Sequence, residues 1–397
     1  MRGPLLLHGA PDQADRWAER WRQGWPATQV LLLLAATETA AVPGISAAGA
    51  TPEARLATAA ADAELLVLGP QARRPHALPP LPAGVSPALI SHVVLEGLSL
   101  APLVVDLGCA VAPSIPHLRL PAPSGLGPAR CLSTGQALPR QRAEALVEQG
   151  RRWGRNLARQ AACPSPLLIA ECVPGGTTTA QGVLCGLGVE AAGLVSGSLR
   201  HPAHDLKQAL VEQGACAAGL GLDGEESPDP LAVVAALGDP MQPLAAGLLL
   251  EAALADVPLL LAGGSQMVAV WALALALARP HQRIQLVAAT ALATTRWVAE
   301  EPGSDLVRLL QHLGRRWQVE PLAFCTTLAF SDPCHPALAA FEEGFVKEGV
   351  GAGGLAALWE LSGRDSQELA LRCHAACDQL LPVSMAGGGE RLRSLHG

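Results

Sequence analysis

Leu167-Leu168-Ile169-Ala170-Glu171-Cys172-Val173-Pro174-Gly175-Gly176-Thr177-Thr178-Thr179-Ala180 reads as a buried strand, a tight turn and the opening of a helix. The apolar run ends at an acid, Pro174-Gly175-Gly176 breaks it, and a second apolar stretch follows from Gln181 to Leu187. In open α/β sheets ligands bind beyond the carboxyl ends of the strands, where this turn falls. Paired glycines let backbone approach a ligand closely. The free N–H groups and dipole of a helix N-terminus favour an anion there. A phosphate or carboxylate fits Gly176, Thr177 and Thr178, with Glu171 in reach of a ribose hydroxyl. The plainer reading is a strand-to-helix turn capped by threonine. No Gly-Lys-Ser/Thr follows, so the turn is not a Walker A loop.

Working outward, similar apolar runs recur at Val30 to Ala35, Glu64 to Leu68, Leu103 to Leu107, Leu259 to Ala262, Ile284 to Ala288 and Leu322 to Phe330. Helical stretches lie between most of them, among them Arg140 to Ala162 and Pro243 to Leu254. Strand–helix alternation on this scale predicts an α/β fold, a Rossmann-like, mainly parallel sheet flanked by helices. The proline-rich stretch Arg73 to Pro87 reads as a linker, and Pro113 to Pro128 as an excursion over the surface. The expected organisation is therefore an N-terminal α/β segment (1–80), a core (81–353) and C-terminal helices (354–397). The two end segments together would make a smaller domain.

Composition narrows the function. The 397 residues carry 28 Lys and Arg against 35 Asp and Glu, a net charge of −7, which excludes a dedicated nucleic-acid binder. Four phenylalanines and no tyrosine leave no aromatic platform for stacking single strands. Leu5 to Leu7 is too short for a signal peptide, and Leu244 to Gly264 is broken by Glu251, Asp256 and Pro258, so neither export nor a membrane span is expected. The ten cysteines are scattered and read as free thiols of a cytoplasmic protein. Cys373 and Cys377 lie one helical turn apart, but a zinc site needs about four ligands, so no metal is expected.

Two more stretches point to chemistry. In Lys347-Glu348-Gly349-Val350-Gly351-Ala352-Gly353-Gly354, glycines surround a carboxylate and leave room for a ligand beside it. An enclosed carboxylate with a raised pKa is a good general base; the bland alternative is a flexible loop with a solvated acid. Lys347 would oppose that role by lowering the pKa of Glu348 if the two side chains met. Pro258 to Gln266 repeats the strand–glycine–helix pattern and makes Gly263, Gly264 and Ser265 a second anion-site candidate. Gly84-Val85-Ser86-Pro87, followed by Ser91 and His92, and Val104-Val105-Asp106-Leu107-Gly108 are further candidates. No strand ends in paired acids before a Thr-Gly loop, and no acidic cage for magnesium is evident, so a pyrophosphate leaving group is not indicated.

Together, and in this order, these motifs resemble the nicotinate-nucleotide:dimethylbenzimidazole phosphoribosyltransferase (CobT) family. The resemblance rests on Glu171 with Thr177 to Thr179, Gly84 to Ser86, Val104 to Gly108, Ala236 to Gly238, Pro258 to Gly264 and Glu348 to Ala352. Thr37 to Glu53, Gly263 to Met267 and Thr295 to Val298 are similar to a divergent cyanobacterial and archaeal branch of it. Two positions depart from the family pattern: Lys347 replaces a glycine, and Gly176 replaces an asparagine. The resemblance implies transfer of phosphoribose from nicotinate mononucleotide to an aromatic, dimethylbenzimidazole-like base, with no cofactor and in a homodimer. It implies Glu348 as general base and Glu171 at the ribose. Gly175, Gly176, Thr177, Thr178, Gly263, Gly264 and Ser265 would contact phosphate and nucleotide, with Ser86 and His92 facing the acceptor. Transfer to a purine or another base, and non-catalytic nucleotide binding in cobamide metabolism, are the alternatives.

Overall fold

The computed structural model describes residues 3–81, 83–120, 127–159, 165–222, 228–331 and 334–381. Residue 82 of the expected linker, residues 121–126 of the expected surface excursion, the expected helix end at residues 160–162, Cys163 and residues 382–397 of the C-terminal segment lie outside them.

The chain opens with β1 (Leu5–His8), α1 (Pro11–Gly24) and β2 (Gln29–Leu34), then passes through α2 (Pro52–Leu68) and α3 (Ala88–Leu98) to β3 (Pro102–Asp106) and β4 (Leu118–Arg119). Helix α4 (Arg140–Arg159) leads to β5 (Leu167–Cys172); α5 (Gly176–Gly186), α6 (His204–Ala218), α7 (Pro230–Leu237) and α8 (Met241–Leu254) lead on to β6 (Leu259–Ala262). Helices α9 (Ser265–Leu277) and α10 (Pro280–Ala289) precede β7 (Thr290–Thr294), and α11 (Arg296–Ala299) and α12 (Leu306–Trp317) precede β8 (Leu322–Cys325). Then come α13 (Pro336–Glu342), α14 (Ala352–Leu361) and α15 (Ser366–Leu380).

The strands form one sheet in the order β1-β8-β7-β6-β5-β2-β3-β4, parallel throughout except β1 against β8. This is the mainly parallel α/β sheet that the alternation of runs predicts. Successive strand side chains point to opposite faces. Leu31, Leu33, Leu167, Ile169, Leu259 and Leu261 enter one core, and Leu32, Leu34, Leu168, Ala170, Leu260 and Ala262 the other. Both faces are covered, which is why these strands read as continuous apolar runs instead of alternating ones. The first face carries α4, α5, α7 to α10 and α12; the second carries α1 to α3 and α13 to α15. The N-terminal segment also supplies β2, between β3 and β5 near the middle of the sheet.

Strand order reverses between β5 and β2. From β5 the chain steps outward through β6, β7 and β8, and from β2 it steps the other way through β3 and β4. Connections leaving the carboxyl ends at such a point diverge and open a crevice.

Two expected strands are helices. Glu64 to Leu68 is the last turn of α2, which starts at Pro52 with the Thr51 hydroxyl accepting from the Ala54 N–H. Ile284 to Ala288 lies in α10, and the strand follows it as the small, inconspicuous Thr290–Thr294. A short apolar run has no periodicity of its own, so the cap upstream decides its conformation. The expected run to Phe330 stops at Cys325, and β1 is an edge strand seen in sequence only as an apolar run.

Close helix packing fixes the first face. A Cβ on Gly150 of α4 would lie 2.1 Å from the Leu244 carbonyl oxygen of α8, and one on Gly247 of α8 would lie 2.2 Å from that of Val147. Alanine is about 1 kcal/mol better than glycine inside a helix, yet forced overpacking costs about 1–3 kcal/mol. Gly150→Ala is therefore expected to lower the urea midpoint of unfolding. A raised midpoint would contradict the close approach of α4 and α8.

Candidate active site

A cavity of about 280 Å³ opens at the strand-order reversal. Its wall combines the turn after β5 (Glu171 to Thr177), the turn after β6 (Gly264 to Gln266), Ser46 and Ala48 after β2, and Glu348 to Val350. Residues Leu78 to Leu81 and Gly84 to Pro87 close another side, so the stretch expected to be a linker is part of the wall.

Helix α5 begins here because Gly175, at φ +79°, ends the extended backbone; no threonine side chain caps it. A Cβ on Gly176 would lie 1.8 Å from Gln266 Oε1, so the start of α5 is pressed against the start of α9. Both N-termini face the cavity, through Gly176 and Thr177 and through Ser265 and Gln266. Two helix starts aimed at one space favour an anionic ligand.

Glu348 is held by four donors. Its Oε1 accepts from the N–H groups of Gly349 and Gly353, both at 3.1 Å, and its Oε2 from the Thr295 N–H at 3.0 Å and the Thr294 hydroxyl at 3.1 Å. Gly353 has to be glycine for this: a Cβ there would lie 2.4 Å from Glu348 Oε2 and 2.2 Å from the Thr294 carbonyl carbon. Burial raises the Glu348 pKa, and the four hydrogen bonds oppose that rise. Glu171, 3% exposed at the end of β5, has one backbone donor, the Val173 N–H at 3.0 Å. Burial foremost, then the charges of Glu348 and Asp239, push its pKa up to about 8. Two carboxyls in one desolvated site do not both ionise readily. The environments differ: four donors favour the charged form of Glu348, whereas Glu171 has one backbone donor and the side chain of Gln266.

Lys347 does not touch this pair. Its ammonium meets Glu301 Oε1 at 2.9 Å and points away from Glu348, which answers the sequence-level concern that it would lower the pKa of the base.

The structure brings together Glu171, Gly175, Gly176, Thr177, Gly264, Ser265, Glu348 and Ser86 on the cavity wall. Three other expected site residues lie off it. Thr178 is buried on the inner side of α5, its hydroxyl without a partner. Gly263 directly follows β6 and donates its N–H to the Ala293 carbonyl. His92 is turned away, with Nδ1 2.9 Å from the Leu66 carbonyl oxygen. Asp106 is likewise a turn residue, accepting from the N–H groups of Gly108 and Cys109.

Sequence reasoning missed Asp62, Thr294 and Lys207. Asp62 is a wall residue on α2 that accepts from the Ser86 hydroxyl at 2.7 Å and from the Cys172 thiol at 3.6 Å; burial raises its pKa to about 6. An acid inside the alanine-rich run Ala59 to Ala63 was the available signal. Lys207 is fully buried behind the wall loop Ser196 to Ser198 and donates to the Ser196 carbonyl at 2.7 Å; burial lowers its pKa to about 7. Among the described residues, no group of His, Cys, Asp and Glu is placed to hold a metal ion. No helix of the described chain is long and apolar enough to cross a membrane.

The fold and the cavity define an α/β protein with a ligand-sized cavity at the strand-order reversal, lined by the starts of two helices. Residues 97–304 match the phosphoribosyltransferase family, and the chain belongs to it. It is 50% identical over 377 residues to the UPF0284 protein of Prochlorococcus marinus (strain MIT 9313), covering 93% of this chain and 91% of that one. The UPF0284 protein of Parasynechococcus marenigrum (strain WH8102) is also 50% identical, covering 94% and 93%. Among solved structures, CobT from Thermus thermophilus superimposes with a TM-score of 0.55 at 20% identity over 93% of each chain, a likeness of fold. A second structure, of nicotinate-nucleotide-dimethylbenzimidazole phosphoribosyltransferase from the same organism, gives a TM-score of 0.53 at 20% identity, over 93% and 92%.

The burial of Glu171 has a pH consequence. Its folded pKa of about 8 stands above the ordinary value of 4.5, so its contribution to stability is full below pH 4.5 and is lost as pH rises towards 8. The buried Asp62 and Asp239, raised to about 6, act in the same direction but at lower pH. Between pH 6 and 7, Glu171→Gln should gain on the wild type by up to about 1.4 kcal/mol per pH unit, read from urea unfolding at each pH. An unchanged difference across that range would place Glu171 in a solvated environment.

Proposed function

We propose that this phosphoribosyltransferase moves phosphoribose from nicotinate mononucleotide to a ring nitrogen of a dimethylbenzimidazole-like base, forming the lower-ligand nucleotide of cobamides and releasing nicotinate. The observation that carries this reading is the pair of buried carboxyls, Glu348 with four hydrogen-bond donors and Glu171 with one from the backbone, on one cavity wall with the starts of α5 and α9. The fold shared with a solved nicotinate-nucleotide-dimethylbenzimidazole phosphoribosyltransferase supports it.

The chemistry follows from the donor. Its glycosidic nitrogen is a pyridinium and leaves as neutral-ring nicotinate, taking the electron pair of the broken C1′–N bond. One ring nitrogen of the acceptor forms the new bond to C1′, and the proton of its other ring nitrogen goes to Glu348. Catalysis then consists of positioning and one proton transfer. A carboxylate has about four acceptor sites, and on Glu348 all four are taken. Thr294 supplies the only donor of the four that rotates, so its hydroxyl gives way when the proton arrives and then accepts from it. An oxygen of Glu171 accepts from a ribose hydroxyl; as positive charge grows on the ribose that hydroxyl becomes a stronger donor, so the bond tightens towards the transition state. Gly175, Gly176, Thr177, Gly264 and Ser265 receive the phosphate and nucleotide. Ser86, beside Asp62, and the apolar Leu78, Leu81 and Val85 face the acceptor.

We read the protein as cytoplasmic and homodimeric. The described cysteines are free thiols, which suits a reducing compartment.

The test is turnover with nicotinate mononucleotide and a panel of acceptors: dimethylbenzimidazole, benzimidazole, adenine and phenols. Nicotinate release, followed by chromatography, is expected with the benzimidazoles and not with adenine or the phenols. Folded protein that binds the nucleotide and releases nothing with any acceptor would replace this reading with a nucleotide-binding role.

A further inference from the structure

The loop that carries Glu348 is built against the backbone preferences of its residues. Val346, Lys347 and Val350 all stand in the left-handed region, at φ +63°, +46° and +54°. Such positions cost about 1–3 kcal/mol each and persist only where the surroundings over-determine them. The surroundings here converge on Lys347. Its side chain is 1% exposed; its ammonium meets Glu301 Oε1 at 2.9 Å and donates to the Gly344 carbonyl at 2.9 Å and the Leu199 carbonyl at 2.5 Å. Its own carbonyl accepts from the Thr295 hydroxyl at 2.6 Å, next to the Thr295 N–H that donates to Glu348. Glu301 in turn accepts from the Ser304 hydroxyl at 2.7 Å.

None of these contacts reaches the cavity, and Lys347 is not part of its wall. Nor does stability account for the pair, because a buried ion pair is often no better than apolar side chains of the same size. What it does supply is a fixed point one residue from the base.

We propose that the Lys347–Glu301 ion pair is a positioning device: it holds the strained loop so that the Glu348 carboxylate keeps its four donors and its direction into the cavity. Lys347 is thus a positioning residue of the transfer reaction. The inference rests on Glu348 being the base. A misplacement of about 1 Å in a reacting group can cost about 100-fold in rate.

The test compares Lys347→Met with the double variant Lys347→Gly/Glu301→Gln in the full chain. The double variant relieves the backbone strain at Lys347 and removes both charges together, leaving no stranded carboxylate. In both, kcat should fall at least about 10-fold while KM for nicotinate mononucleotide stays within about 2-fold, the pattern of a group misplaced in the transition state. Lys347→Arg, which keeps the charge, should recover part of the loss. Wild-type kcat in either folded variant would overturn the proposal, as would a raised KM with kcat unchanged. Failure of both variants to fold would also overturn it, by making the pair's task stability. An inactive wild type would instead remove the proposed reaction, so the two failures are distinct.

Discussion

The structure turns on one electrostatic constraint: two carboxyl groups share a desolvated crevice, and their surroundings decide which carries the charge. Glu348 has four hydrogen-bond donors and Glu171 has one from the backbone. Without that asymmetry nothing in the surroundings would distinguish the two groups, and the proton shared between them would have no fixed place. The asymmetry is a product of the fold. The Thr294 and Thr295 donors come from the end of β7, and those of Gly349 and Gly353 from the turn into α14. The base is therefore assembled from segments more than fifty residues apart in sequence.

The sheet places this pair without further devices. Reversal of strand order between β5 and β2 opens the crevice, and Glu171 sits at the carboxyl end of the strand beside it. The adjacent strand, β6, delivers the start of α9 next to the start of α5. Close backbone approaches, such as Gly176 on Gln266 and Gly353 on Glu348, leave little room for these groups to drift. Helices from both ends of the chain pack on one face, so the loop bearing Glu348 rests on the same core as α2 and α3.

Much of this was legible in the sequence, for physical reasons. The run Leu167 to Cys172 is apolar on both faces up to Glu171 and is followed by glycines, and it forms β5. Glycines around Glu348 marked it, though the reason differs in part. The missing side chain of Gly353 makes room for the carboxylate of Glu348 itself, where the sequence suggested room for a ligand. The threonines after Gly176 were read as a cap and anion site, but Gly175 alone ends the strand, and only Thr177 of the three reaches the cavity. The surroundings of Asp62 were not legible because its partners lie far away in the chain. The Ser86 hydroxyl on Asp62 is 24 residues distant and the Cys172 thiol 110. His92 looked like a ligand contact by its place after Gly84 to Ser86, yet its ring serves the carbonyl that ends α2.

The most direct test of the central claim is single-turnover transfer by Glu348→Gln, with nicotinate mononucleotide affinity measured in parallel by calorimetry. The amide keeps the shape of the side chain and removes its basicity. The account predicts a rate at least about 100-fold below wild type with nucleotide affinity unchanged. A rate near that of the wild type would show that the proton leaves by another route and that the carboxyl pair is not the centre of the reaction.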